Sequence, residues 1–168
     1  YSRCEQLDLA PKEVSRQIRE LLQDAVRIRL RADVPVGCYL SGGLDSSGIS
    51  ALVVRNFDSD VRTFGIRFSE DSFDEGKHQK QMVSYLNVNH TDIQATNETI
   101  GASFPDCLWH CEIPMLRTAP VPLYLLSDVV RQSGYKVVLT GEGADEVFGG
   151  YNIYREAKVR RFWAKYPN

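Results

Sequence analysis

Seven consecutive residues, Ser41-Gly42-Gly43-Leu44-Asp45-Ser46-Ser47, combine the groups that a phosphate binder uses. They follow the apolar run Val36-Gly37-Cys38-Tyr39-Leu40 and precede an amphipathic run over 48–54. That order predicts a strand, a glycine turn and a helix. Such a turn aims backbone N–H groups and a helix N-terminus at one point, which suits a phosphate. Gly42 and Gly43 permit unusual backbone angles and a close anion. Ser41, Ser46 and Ser47 add hydroxyls. Asp45 is the exception, because a carboxylate repels phosphate unless Mg²⁺ lies between them. A second stretch repeats the order. Lys136-Val137-Val138-Leu139-Thr140 is a buried-strand pattern, and it runs into Gly141-Glu142-Gly143-Ala144-Asp145-Glu146-Val147-Phe148-Gly149-Gly150-Tyr151. Two such turns at the carboxyl edge of one parallel sheet open onto a shared crevice. Asp45 and Asp145 can then hold one magnesium ion together with phosphate oxygens. A plain acidic helix start accounts for Glu146; it does not account for Gly141, Gly143, Gly149 and Gly150.

The first turn lacks the Gly-Lys-Ser/Thr of a Walker A loop and the GxGxxG of a dinucleotide fold. It resembles the SGGxDS loop of the PP-loop ATP pyrophosphatases, in which the loop grips the β- and γ-phosphates while the α-phosphate is attacked. Taken with residues 141–151, it is similar to the synthetase domain of glutamine-hydrolysing asparagine synthetases, and to the β-lactam synthetases. The likeness runs from roughly residue 12 to residue 158. It implies an α/β fold, a doubly wound parallel sheet with flanking helices, Rossmann-like and of the adenine nucleotide alpha hydrolase type. It implies ATP and Mg²⁺, and an aspartate side-chain carboxylate activated as an acyl-adenylate. Ammonia from a glutaminase domain would then attack. On this likeness Ser41, Gly42, Gly43 and Ser46 face the phosphates, and Asp45 and Asp145 ligate Mg²⁺. Leu40, Ile66 and Gly141 lie on the adenine side, and Glu142 supports adenylation or deprotonates the amine. The family's arginine before the helix at 123 falls on Thr118 in an ungapped match. Arg117, one position away, is the candidate clamp for carboxylate or phosphate; a surface arginine on a loop is the alternative.

The chemistry fits the residue types. A carboxylate is a poor electrophile, and adenylation gives it a leaving group. Attack at phosphorus needs alignment and charge neutralisation more than a protein nucleophile. An ammonium ion cannot attack, so a positioned base such as Glu142 is useful.

The elements that must position these groups alternate. Residues 11–31 carry apolar positions at helical spacing, with Pro11 suited to a first turn. Strands are expected at 36–40, 61–68, 90–94 and 136–140, and helices at 46–56, 75–87 and 97–111. Asp74 is the expected cap of the helix at 75. Pro114, Pro120 and Pro122 predict irregular chain up to Pro122, then a helix ending near Gly134. An amphipathic stretch follows from Ile153 to Tyr166.

The likeness makes residues 1–168 part of a synthetase domain. The glutaminase domain would precede it, and the remainder of the synthetase domain, with a catalytic lysine, would follow. Cys4 is not the glutaminase nucleophile by position, and Lys158 and Lys165 do not match the later lysine. Val159, Phe162 and Trp163 are expected to be surfaces that the missing part covers. Alone, the stretch is expected to bind nucleotide without completing the reaction.

Composition excludes several classes. Hydrophobic content of 43% and charged content of 25% suit a globular protein. A net charge of −2 gives no reason to expect nucleic acid. No apolar run reaches the ~20 residues of a membrane span. Cys4, Cys38, Cys107 and Cys111 lack disulfide-scaffold spacing, so free thiols in the cytoplasm are expected. Cys107 and Cys111, four apart beside Leu108 and Trp109, read as packed residues rather than metal ligands. His90 reads as a surface or satisfied histidine. Three functions stand open: amide ligation of aspartate; amide formation on another carboxylate, of the β-lactam synthetase or sugar-acid kind; and nucleotide binding without turnover. The likeness also admits a homodimer of the full-length enzyme.

Overall fold

The computed structural model describes residues 8–57, 61–70, 72 and 74–165. Cys4, Asp71, Phe73 and Tyr166 fall outside the described residues. In chain order the elements are α1 (Pro11–Arg29), β1 (Val36–Tyr39), α2 (Leu44–Asn56), β2 (Thr63–Phe68), α3 (Gly76–Leu86), β3 (His90–Ala95), α4 (Asn97–Cys111), α5 (Pro120–Gln132), β4 (Val137–Leu139), α6 (Ala144–Phe148) and α7 (Asn152–Lys165).

All strand pairings are parallel, in the order β3-β2-β1-β4. The order reverses between β1 and β4, and a crevice at the carboxyl ends of such a pair is where open α/β sheets bind ligands. Side chains alternate across the sheet and build two cores. Val36 and Cys38 of β1, with Leu139 of β4, pack against Val26 of α1 and Val53 of α2. On the opposite face Phe64 of β2 packs against Leu126 and Val130 of α5, with Tyr39 and Val138 beside them. Burial pushes the Cys38 thiol up to about 11, against a smaller opposing influence of the neighbouring Ser50 hydroxyl, so it stays a thiol at neutral pH.

Several expectations are corrected. Helix α5 begins at Pro120, so Pro120 and Pro122 both lie in its first turn. First-turn N–H groups have no intrahelical acceptor, so neither proline costs a hydrogen bond. Asp74 does not cap α3. The N-cap is Glu75, and Asp74 Oδ1 instead accepts from the Phe68 amide at 3.1 Å, closing the 69–74 loop. Strand β4 is not wholly buried. It is the edge of the described sheet, and Val137 is exposed. His90 is half-buried, and only one of its ring nitrogens is satisfied: Nδ1 meets Thr63 Oγ1 at 2.9 Å, while Nε2 is buried without a partner. Cys107 is buried as expected and Cys111 half-buried, but Trp109 beside them is exposed.

Candidate active site

Strand β1 delivers the first turn. The last bond between β1 and β2 runs from the Leu40 amide to the Phe64 carbonyl, at 2.8 Å. Beyond it the chain turns at Gly42, whose φ of +92° lies in the left-handed region. A side chain there would also meet the Gln79 backbone nitrogen at 2.8 Å. The loop is stitched from within. Ser41 Oγ accepts from the Gly43 amide at 3.2 Å and lies 2.9 Å from Ser46 Oγ. Ser46 Oγ in turn accepts from the Ser41 amide and donates to the Gly43 carbonyl. Ser46 is thus occupied inside the loop, whereas Ser41 and Asp45 are exposed. Gly43 caps α2 with no side chain in the way, so the first-turn amides stay open to an anion.

Strand β4 delivers the second turn, and the two turns touch. A Cβ on Gly141 would lie 2.7 Å from the Ser46 amide nitrogen and 2.9 Å from the Asp45 carbonyl carbon. Only glycine lets the second strand end come this close to the start of α2. Gly143, at φ +92°, then opens α6. Its Asp145 carboxylate is packed against Gly150, in space that a side chain at 150 would take. The Gly150 amide binds the Asp145 carbonyl at 3.0 Å.

Between the turns lies a cavity of about 200 Å³. Leu40, Ser41, Asp45, Ser46, Ile66, Gly141, Glu142 and Asp145 all line it. Gly42 and Gly43 shape the loop without lining the cavity, and Gly42 faces α3. Arg117 lies exposed on the connection between α4 and α5 and does not line it. Glu146 and Tyr151 also line the cavity. Tyr151 Oη donates to Glu146 Oε1 at 3.0 Å. That bond, with the nearby charges of Glu146, Asp145 and Glu142, holds the phenol above its ordinary value and keeps it protonated. Sequence reasoning gave Glu146 only a helix-dipole role and gave Tyr151 none; its place at the end of the glycine motif was the available signal.

Two carboxylates on facing turns make a hard oxygen donor set. No larger cluster joins them, for among the described residues no group of three or more His, Cys, Asp or Glu is placed to hold a metal ion. That donor count suits Mg²⁺ carried in on phosphate oxygens better than a resident all-protein cage.

The family model for asparagine synthase matches residues 17–168. The chain belongs to the asparagine synthase family. Its curated relatives include the glutamine-hydrolysing asparagine synthetase 1 of Bacillus subtilis, 37% identical over 91% of this chain and 24% of the relative. Asparagine synthetase B of Escherichia coli is 35% identical over 84% of this chain and 28% of the relative. A protein named amidase chyE, from Penicillium rubens, is 35% identical over 86% of this chain and 24% of its own length. The chain therefore spans about a quarter of the length of these asparagine synthase relatives. Among solved structures, an NH3-dependent NAD synthetase from Campylobacter jejuni superposes with a TM-score of 0.51, at 18% identity, over 87% of this chain and 63% of that one. The U34-tRNA thiolase NcsA from Methanococcus maripaludis gives 0.59 at 13% identity, over 82% and 48%. At such identities the two structures speak for the fold, a parallel sheet with flanking helices.

Proposed function

We propose that the crevice between the two glycine turns binds ATP, and that the protein carrying this chain forms an amide from a carboxylate and ammonia. The acceptor carboxylate oxygen attacks the α-phosphorus, and pyrophosphate leaves. Ammonia then attacks the acyl carbon, and AMP leaves. Aspartate is the proposed acceptor and glutamine the proposed source of ammonia, in keeping with relatives named glutamine-hydrolysing asparagine synthetases. The observation that carries this reading is the contact of Gly141 with the Asp45–Ser46 peptide. Ser41, Asp45, Ser46, Glu142 and Asp145 share one cavity beside that contact.

The roles follow from placement. Ser41 and the first-turn amides of α2 face the phosphates, on a loop that Gly42 and Gly43 shape. Leu40, Ile66 and Gly141 form the wall nearest the base. Asp45 and Asp145 would hold Mg²⁺, which when bound offsets charge on the triphosphate. Glu142, exposed at the crevice, takes the proton from the incoming ammonium, which must be lost before nitrogen can attack. Arg117 stands outside the crevice walls, and no step is assigned to it.

The amidase-named relative stands as near in identity as an asparagine synthetase does. That favours keeping a second acceptor class, another carboxylate, in the test. The experiment is exchange of labelled pyrophosphate into ATP by the full-length protein. Exchange that needs aspartate supports the proposal. Exchange that needs a different acid moves the acceptor to the second class. No exchange with any acid, alongside intact ATP binding, makes the site a non-catalytic nucleotide binder.

A further inference from the structure

Gln79, on α3, is 2% exposed. A buried glutamine on a helix facing a sheet is unusual, since burying an amide costs free energy unless both of its ends are bonded. Here one end is bonded and the other is not. Nε2 donates to the Ile66 carbonyl at 2.7 Å, whereas Oε1 is buried with no partner. Oε1 is left facing Gly65, whose missing Cβ would lie 3.0 Å from it and 3.0 Å from the His90 ring.

The bonded end holds a residue of the cavity wall, Ile66. Successive peptide groups of a strand point to alternate sides. The Phe64 carbonyl points at β1, where it accepts from the Leu40 amide. The Ile66 carbonyl, two residues on, points to the same side, past the last bond to β1, where Gln79 Nε2 meets it. Ile66 lines the cavity there. The Gln79 backbone nitrogen supports the loop from behind at Gly42. One residue therefore backs both the phosphate loop and the base wall.

We propose that Gln79 is a positioning residue that fixes the Ile66 peptide as the base-reading edge of the site, and so selects a nucleotide carrying an exocyclic amine. The inference rests on the ATP reading above. With Nε2 on one lone pair, the Ile66 carbonyl offers its second to an amine donor such as the 6-amino group of a purine. A base with a carbonyl oxygen at that position sets oxygen against oxygen and leaves a buried acceptor unpaired. An apolar residue would fill Gln79's site with no unpaired amide oxygen, but it would lose the Nε2 bond and free the Ile66 peptide.

The test compares wild type and Gln79→Met in the full-length protein, with ATP, GTP and purine riboside triphosphate, which lacks the 6-amino group. Binding is read by calorimetry and turnover by pyrophosphate exchange. Wild type should prefer ATP to purine riboside triphosphate by about tenfold or more, the scale of one hydrogen bond to a buried group. Gln79→Met should erase most of that preference and raise the KM for ATP by about tenfold, with kcat within about twofold. A variant that keeps the preference while only its melting temperature falls makes Gln79 a packing residue and overturns the proposal. Should the variant not fold, Gln79→Glu, of equal size but without the Nε2 donor, takes its place: a lost preference for ATP over purine riboside triphosphate supports the proposal, and a kept preference overturns it. Calorimetry separates this result from the ligase reading, because base selection can hold where exchange is absent.

Discussion

At the scale of single residues, the site depends on a hydrogen atom where another residue would carry a methyl. Gly141 places the second turn on the start of α2, and the atoms facing it are backbone, which cannot swing aside. Gly141→Ala should therefore force the turns apart. The expected cost is about 2 kcal/mol of stability, typical of overpacking, with loss of nucleotide binding beyond what the stability change explains. Urea unfolding and calorimetry of the same sample give the two numbers. Glu142 carries a different prediction. It is exposed and lines the cavity without bracing it. Glu142→Gln should leave ATP affinity within about threefold and remove amide product by about a hundredfold or more, the scale of general base catalysis. Product formation at the wild-type rate would take the proton step away from this residue.

At the scale of elements, hydrophobic period and turn chemistry made most of the fold legible. The helix over 97–111 and the strands at 36 and 90 announce themselves by pattern, and α4 carries a Thr96–Thr99 capping box at its start. What stayed hidden depended on partners distant in sequence. Prolines at 120 and 122 read as helix breakers until the helix is seen to begin with them. Asp74 reads as a cap, but the Phe68 amide of a neighbouring strand end claims it. Gln79 carries no sequence signal at all, since a glutamine in an amphipathic helix reads as surface. The site motifs, by contrast, were legible because their glycines have no purely local explanation. The pairing of β2 with β3 has a consequence for pH. Burial holds the His90 imidazole below its ordinary value near 6.5, against the opposing pull of Asp92 and Thr63. As pH falls, the unfolded chain takes up that proton first. Stability is therefore full above pH 6.5 and declines as pH drops toward the folded-state value. Urea titrations across this range should show the decline, and His90→Gln should flatten it. An unchanged slope in that variant would assign the acid sensitivity to other groups.

At the scale of the whole molecule, the parallel order β3-β2-β1-β4 does the arranging. Two turns far apart in sequence meet because β1 and β4 are neighbours. The described part also leaves large apolar groups uncovered, among them Leu116 at 98% and Trp109 at 81% exposure, and among the described residues no helix is long and apolar enough to cross a membrane. The central claim is that Asp45 and Asp145 act together on one triphosphate. A double-mutant cycle on MgATP affinity in the full-length protein tests it most directly, with Asp45→Asn, Asp145→Asn and the pair measured by calorimetry. Each single change should weaken binding by about thirtyfold, and the pair should lose little more than either alone, because both break the same shared contact. Losses that simply multiply, or a single variant that binds MgATP as well as wild type, would contradict it.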